Sequence, residues 1–483
     1  MSVRILKPSS IFDEEILLSR LKDLNVNFKA HKKLLRYIIQ KNEVDIKKIP
    51  ELPIKLLNLL QEEFTICSSK LLEVQESKDG STSKLLIELQ DGKKIESVIM
   101  RYGHVELDCF PQEELERNRD SEGRLNFKSR KRATLCVSSQ VGCAMACTFC
   151  ATGTMGLVAN LTAGEIIEQL YHASKIENIR GIVFMGMGEP LDNYKEVLNA
   201  VSSMTDTSRF GLAPARISIS TVGVVPRIIS LKRDLPEIGL ALSLHAPNQT
   251  LRQKIVPTTK AWPIEKILKA CDEFIYNQNY NLKTSKRKRH VLIEYVLIHD
   301  VNDSVAVAEE LGKLLAGKDV LLNVIPYNVT AVPYDYKPPT TLAQRNFVEV
   351  TRSFGVKTLL RQTMGSDINS ACGQLVIEAN NKGGCSDNIG DLEDIFANKK
   401  AAVSKSKEKQ FSIKKNKVKS SVSGIKGDNS NTEKISHLFN FKDYIKSVLL
   451  MMIVLLFTLL SFRIYLKLKN NYSITTVYNK DEM

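Results

Sequence analysis

The sequence predicts an α/β fold whose core is a partial (βα)6 barrel, preceded by a helical accessory domain and a β-hairpin. Three observations carry that expectation. From about residue 132 to 330, short β-rich runs alternate with helical stretches, the pattern of a parallel sheet. Polar, Gly-rich punctuation follows each run, and parallel α/β folds gather ligand-binding residues at that end of the strands. Hydrophobic residues make up 43% and charged residues 25% of the 483, an ordinary globular balance that excludes a chain disordered throughout.

Residues 1–66 are expected to form the helical accessory domain. Ile16-Leu17-Leu18, Leu21, Leu24, Leu34-Leu35, Ile38-Ile39, Leu56-Leu57 and Leu59-Leu60 recur at helical spacing between charges. The lysines among them suit a solvated helix face, or else contact with RNA. Residues 67–131 hold a hairpin and an insertion. Runs 84–89 and 94–99 flank Gln90-Asp91-Gly92-Lys93, with Asp-Gly at the turn. The polar stretch 101–131, which contains Pro111, reads as a loop.

The core is expected over 132–378. Its β-rich runs are 134–137, 181–185, 216–221, 238–244, 290–297 and 321–325. Helical periodicity occupies 163–175, 193–205 and 304–316, and a further strand at 356–360 follows a helix at 341–353. Six βα units suit an open or partial barrel better than a short nucleotide-binding sheet.

The end of the chain differs in kind. Nine lysines against Glu408 alone fill 399–419, so this stretch carries +8 of the formal +14. The remaining +6 is a weak pointer to a polyanionic partner. Residues 379–443, rich in Lys and Ser, read as a disordered linker. Residues 447–462 carry no charge, and as helix they would span about 24 Å against a hydrocarbon core of about 30 Å. Tyr444-Ile445 and Ile464-Tyr465-Leu466 extend the run, with Lys446, Arg463 and Lys467 able to reach outward. A transmembrane helix at 444–466 is therefore expected, with a buried helix as the alternative. It would anchor a cytoplasmic catalytic region by its tail, and 467–483 would follow as a terminal segment. The opening MSVRILKPSSIFDEE has no apolar core of a secretory signal.

Nine cysteines are too sparse, and odd in number, for a disulfide scaffold. Cys143-Ala-Met-Ala-Cys147-Thr-Phe-Cys150 lies in the loop after the first barrel run. Three thiolates so spaced can hold three corners of a [4Fe–4S] cubane and leave one iron open. A structural zinc site would want a fourth ligand close in sequence, and none is there. Three unrelated core cysteines are the remaining reading.

With Phe149 before its last cysteine, this motif resembles that of the radical S-adenosylmethionine enzymes. The wider set of motifs is similar to the RlmN/Cfr family of adenosine methylases. These are the run from Arg132 to Cys143, Met185-Gly-Met-Gly-Glu-Pro190, Ser243-Leu-His-Ala-Pro247, Ile293-Glu-Tyr-Val296 with Val301-Asn-Asp303, Ile325-Pro-Tyr-Asn328 and Ala371-Cys-Gly-Gln-Leu375. The resemblance runs from about residue 11 to 375 and is dense after Arg132. It implies a [4Fe–4S] cluster on Cys143, Cys147 and Cys150, whose open iron takes S-adenosylmethionine and whose electron yields a 5′-deoxyadenosyl radical.

The resemblance also implies a site. Gly188 and Glu189 match the segment that binds the cofactor's amino group. Ser220, Ser243, Leu244, His245 and Asn328 match its other contacts. Cys372 matches the cysteine that carries the transferred methyl group, because an adenine carbon is too poor a nucleophile to take it directly. Cys136 matches the thiol that resolves the protein–RNA adduct by a disulfide with Cys372. Glu96 matches the proton acceptor; without the resemblance it would read as a solvent-facing strand carboxylate beside Lys93 and Lys94. Cys67, Cys109, Cys271 and Cys385 match nothing.

The implied activity is methylation of adenosine carbon 2 in large-subunit ribosomal RNA and, in some members, in the tRNA adenosine beside the anticodon. Binding of RNA would weaken as salt rises. A flavodoxin-like electron donor and a monomeric enzyme complete the expectation, with the compartment left open between cytosol and organelle. The carbon 8 methylase of the same family shares nearly every motif. A non-catalytic RNA-binding or membrane-tethered descendant is the reading from another class.

Overall fold

The computed structural model describes residues 4, 6–103, 132–281, 288–361 and 363–375. The insertion from 104 onward, Cys109, Cys385, the linker 379–443, the span 444–466 and the segment 467–483 lie outside them. Among the described residues no helix is long and apolar enough to cross a membrane.

The chain opens with β1 (Ser9–Ser10), α1 (Glu14–Asp23), α2 (Phe28–Gln40), α3 (Ile54–Glu63) and β2 (Phe64–Thr65). Asn27 accepts from the Lys29 N–H at 2.9 Å and starts α2 by satisfying one of its free donors. Leu34, Leu35 and Ile38 on α2 and Leu56, Leu59 and Leu60 on α3 are buried, as their spacing predicts. Three strands follow, β3 (Lys70–Glu76), β4 (Thr82–Glu88) and β5 (Lys94–Tyr102). β4 and β5 form the expected hairpin, with Glu88 opposite Lys94. Its second strand runs to Tyr102, past the point where the sequence suggested a loop.

The core begins with β6 (Arg132–Cys136), β7 (Gln140–Gly142), α4 (Ala151–Thr154), β8 (Leu157–Asn160) and α5 (Ala163–Ser174). Strands and helices then alternate: β9 (Ile179–Phe184), α6 (Tyr194–Thr205), β10 (Ile217–Thr221), α7 (Val225–Asp234), β11 (Gly239–Ser243), α8 (Gln249–Ile255) and α9 (Ile264–Tyr276). The last elements are β12 (Val291–Leu297), α10 (Val305–Leu315), β13 (Val320–Pro326), α11 (Thr341–Ser353) and β14 (Lys357–Leu360). β6, β9, β10, β11, β12, β13 and β14 pair in that order, every pair parallel. β14 is at one edge of this sheet, so the barrel is open. Strand β12 is buried at every position but Leu292, as a strand covered on both faces must be.

The hairpin is not separate from the barrel. β5 pairs antiparallel with β6, placing Val98 opposite Cys136, and one ten-stranded sheet runs from β14 to β3. Side chains alternate across a strand, so Glu96, Val98 and Met100 share one face of β5 and Ser97 the other. Val98 and Met100 face the cavity that holds Cys136, while Ser97 Oγ donates to Gln169 Oε1 on α5 at 2.6 Å.

The accessory helices share one continuous apolar core with the barrel. Polar contacts fasten the two at α5. The buried Glu168 carboxylate accepts from the Ser10 hydroxyl at 2.6 Å and from the backbone N–H groups of Ser68 and Ser69, each at 2.8 Å. Arg4 bonds both oxygens of Glu165, at 2.8 and 2.9 Å. Residues Met1–Cys385 form one compact unit.

Candidate active site

The cysteine loop is bracketed by β7 and β8, which pair antiparallel. Gly142 ends β7 at φ +74°, and a Cβ there would lie 1.9 Å from the Gly156 carbonyl oxygen, so only glycine lets the strands meet. The Cys143 N–H donates to that same oxygen at 2.9 Å. Cys143, Cys147 and Cys150 then line one cavity at the carboxyl ends of the barrel strands. Burial pushes the Cys143 thiol up to about 12 and raises Cys147 and Cys150 as well. Three half-buried thiols that resist ionising alone, gathered at one cavity, suit a metal group whose charge would draw off their protons.

Gly188, Glu189, Ser220, Ser243 and His245 line the same cavity. Gly188 has φ +100°, and a Cβ on it would come within 2.5 Å of the Gln140 side chain. Glu189 Oε1 accepts from the Leu191 N–H at 3.0 Å and Oε2 from the Val222 N–H at 2.9 Å. Burial nevertheless raises its carboxyl to about 7, against the pull of those backbone donors. Ser220 and Ser243, at the ends of neighbouring strands, have hydroxyls 3.3 Å apart.

His245 is held in the left-handed region, φ 61°, where a residue with a side chain stays only if its surroundings impose it. Asn302 does so: its side-chain amide donates to the carbonyls of His245 at 2.9 Å and Val296 at 2.7 Å. The Val296 N–H donates to His245 Nδ1 at 3.1 Å, which leaves Nε2 to bear the proton of the neutral ring. Burial pushes this imidazole down to about 3. Its ring meets Phe149 edge-on at 4.8 Å.

Two of the expected contacts stand elsewhere. The Leu244 side chain is buried in the main core, and its carbonyl accepts from Arg252 Nε at 3.0 Å. Arg252 also bonds the Val222 and Ser243 carbonyls, at 2.6 and 3.0 Å, so one buried guanidinium ties together the ends of β10 and β11. Asn328 lines an adjoining cavity and reaches the Cys372 carbonyl at 3.4 Å.

That adjoining cavity holds Cys136, and Cys372 belongs to the lining of both. The Cys136 thiol is pushed up to about 12 by burial. Cys372 is partly exposed, on a loop bound to the cysteine loop by two hydrogen bonds. The Ala151 N–H donates to the Gly373 carbonyl at 2.8 Å and Thr152 Oγ1 to the Leu375 carbonyl at 2.5 Å, while Thr330 Oγ1, in the loop after β13, donates to the Phe149 carbonyl at 3.0 Å. Arg361 Nη1 donates to Cys372 Sγ at 3.5 Å.

Glu96 is 5% exposed, which corrects its reading as a solvent-facing carboxylate. It pairs across the hairpin with Lys84 Nζ at 3.2 Å, the outward charge of Lys93 and Lys94 notwithstanding. It lines a third, open groove shared with Ala151 and Gln374, two residues beyond Cys372. Cys67 and Cys271 stay outside all three. Arg252, Asn302 and Arg361 escaped sequence reasoning. Asn302 lies in a motif that could have flagged it, whereas the two arginines carry no local signal.

A model of the radical SAM superfamily matches residues 137–308. The chain is 40% identical over 337 residues to a protein named ribosomal RNA large subunit methyltransferase N from Nitrosopumilus maritimus, covering 68% of this chain and 87% of that one. It is 36% identical over 365 residues to a probable dual-specificity RNA methyltransferase RlmN from Carboxydothermus hydrogenoformans, covering 75% and 96%. The fold matches the crystal structure of a radical SAM methyltransferase from Sphaerobacter thermophilus with a TM-score of 0.63 at 33% identity, covering 76% of this chain and 99% of that one. Placed beside the thiol triad at the mouth of an open parallel barrel, these matches show that the chain belongs to the RlmN/Cfr family of radical S-adenosylmethionine RNA methyltransferases.

Proposed function

We propose that this chain methylates carbon 2 of an adenosine in RNA by way of a methyl group carried on Cys372. Large-subunit ribosomal RNA is the first substrate and transfer RNA the second, in keeping with the names its relatives bear. The observation that carries the reading is the place of Cys372, in the wall shared by the cysteine-triad cavity and the cavity of Cys136.

Cys143, Cys147 and Cys150 would hold a [4Fe–4S] cluster. Gly188, Glu189, Ser220, Ser243 and His245 would hold S-adenosylmethionine beside it, braced by the Leu244 backbone and by Asn328. When bound, this pair supplies one-electron cleavage of a sulfonium and hence a radical able to abstract hydrogen. The Glu189 carboxylate, aimed by two backbone N–H groups, meets an ammonium group that favours its charged form. His245 remains a neutral donor through Nε2. Cys372 takes the methyl group on sulfur and presents it to the purine ring. Glu96, in the groove next to the Cys372 loop, accepts the ring proton. Cys136, across the shared cavity from Cys372, closes a disulfide with it as the product leaves. The reading also carries a flavodoxin-like reductant, a single copy of the chain as the working unit, and a catalytic region in the cytoplasm.

Anaerobic incubation with ribosomal and transfer RNA, followed by mass analysis of the nucleosides, tests the reading. We expect 2-methyladenosine; 8-methyladenosine as the sole product would overturn the carbon 2 assignment. Cys372→Ala should abolish methylation at unchanged iron content. A confirmed cluster that never releases 5′-deoxyadenosine would favour the non-catalytic descendant.

A further inference from the structure

Cys67 follows β2, where the accessory helices meet the barrel, and its Sγ lies 3.4 Å from Nε2 of His172 on α5. Glu168 stands four residues earlier on that helix, so the two side chains leave the same face of it. One ligand atom from each of Cys67, Glu168 and His172 lies within 4.8 Å of the other two. Ligands on a tetrahedral zinc ion, bonded at about 2.3 Å through sulfur and about 2.0 Å through nitrogen, stand about 3.5 Å apart. The separation of Cys67 and His172 matches that spacing.

Glu168 is fully buried, yet every bond it accepts comes from a hydroxyl or a backbone amide, of Ser10, Ser68 and Ser69. Among the described residues no lysine or arginine nitrogen lies within 4.0 Å of it. A buried carboxylate ordinarily pairs with a cation or binds a metal. Cys67 and His172 are half-buried and face solvent in part. Burial lowers the His172 imidazole against the pull of Glu168, and Lys175 adds to the effect, so the neutral ring keeps a lone pair to offer. Burial pushes the Cys67 thiol up to about 12, which leaves it protonated until an ion displaces the proton. The Ser69 hydroxyl stands amid the three groups, 2.5 Å from Glu168 Oε2, 3.0 Å from His172 Nε2 and 3.7 Å from Cys67 Sγ. A turn about its one side-chain torsion clears that space. The Ser69 N–H still holds Oε2, at 2.8 Å, the kind of outer bond that orients a ligating carboxylate.

We propose that Cys67, Glu168 and His172 form a second metal site, separate from the cysteine triad, and that it takes a zinc ion. One sulfur, one nitrogen and one oxygen donor suit zinc, whereas magnesium and calcium ask for oxygen alone. On binding, a sulfur–zinc bond replaces the Cys67 S–H bond, the proton goes to solvent, and nothing is oxidised or reduced. The thiolate and the carboxylate together balance the two charges of the ion, and water takes the fourth position. The ion ties the segment 67–69 to α5, at the junction that Glu168 already fastens through its serines.

The test uses full-length, cluster-loaded protein, in which the triad thiols are already taken. It is titrated with zinc chloride at pH 7 under argon against a chromogenic chelator, and zinc and iron are counted by mass spectrometry after desalting. We expect one zinc per chain at micromolar free metal, with the iron content unchanged. Cys67→Ser and His172→Gln should each weaken binding by about a hundredfold, the upper end of what losing an outer-shell partner costs a metal site. A wild type that holds no zinc, or either variant binding as the wild type does, would overturn the proposal. So would zinc gained only as iron is lost, which belongs to the triad. Should a variant not fold, proton release by the wild type decides: about one proton per zinc supports the thiolate ligand, and none overturns it.

Discussion

Both ring nitrogens of His31 are buried without a hydrogen-bond partner, and Glu14 Oε2 stands 3.8 Å from Nε2. Burial, aided by the nearby Arg209 charge, pushes this imidazole down to about 4. The folded chain therefore binds fewer protons here than the unfolded chain, so stability is full above pH ~6.5 and falls as pH drops towards 4. A shift of this size corresponds to about 3 kcal/mol. In urea unfolding, His31→Leu should gain on the wild type by about that amount between pH 7 and pH 4. A constant difference across that range would show that His31 does not titrate in this way. At this scale a residue's type was legible, but its surroundings were not. The triad announced itself by spacing and Glu189 through the resemblance of the Met185–Pro190 motif, whereas Arg361 reads as an ordinary strand-end charge until the loop carrying Cys372 folds onto it.

Helix α5 joins the accessory helices to the barrel through a cap supplied by another segment. Thr162 and Glu165 form a capping box at its N-terminus. Asp13, just before α1, adds its carboxylate: Oδ1 accepts from the Gly164 N–H at 2.7 Å and Oδ2 from the Thr162 hydroxyl at 3.2 Å. Gly164 leaves room for this, since a Cβ there would lie 2.8 Å from the carboxyl carbon. Asp13→Ala should cost about 1–2 kcal/mol, the usual worth of a cap. Asp13→Asn should retain more of it, because its amide oxygen can still accept from Gly164. Denaturant midpoints for the two variants check this, and equal losses would assign the effect to charge instead. The capping box is local and so could be read from sequence. Asp13 lies 151 residues from the amide it caps, and no window along the chain connects them.

Across the whole molecule, the parallel strands were legible because each buries a β-rich run between helices. Predicted and observed limits differ by one or two residues at most ends. The joining of the hairpin to the barrel was not, since β5 and β6 pair across a long insertion and periodicity says nothing about partners. β7 and β8 are too short, at three and four residues, to show a period at all. The site was legible as a set of motifs. How they were shared between two cavities, with Leu244 turned to the core and Asn328 next door, depended on packing.

The loops that carry the triad and Cys372 are laced together by Ala151 with Gly373 and Thr152 with Leu375. Neither arm can shift alone. Chelating the iron should therefore quicken amide hydrogen exchange over 363–375 as well as over 143–154, whereas exchange confined to 143–154 would mean that the lacing is slack. If it holds, air that strips the metal also unsettles the loop of Cys372, and rebuilding the cluster restores both without new synthesis of protein.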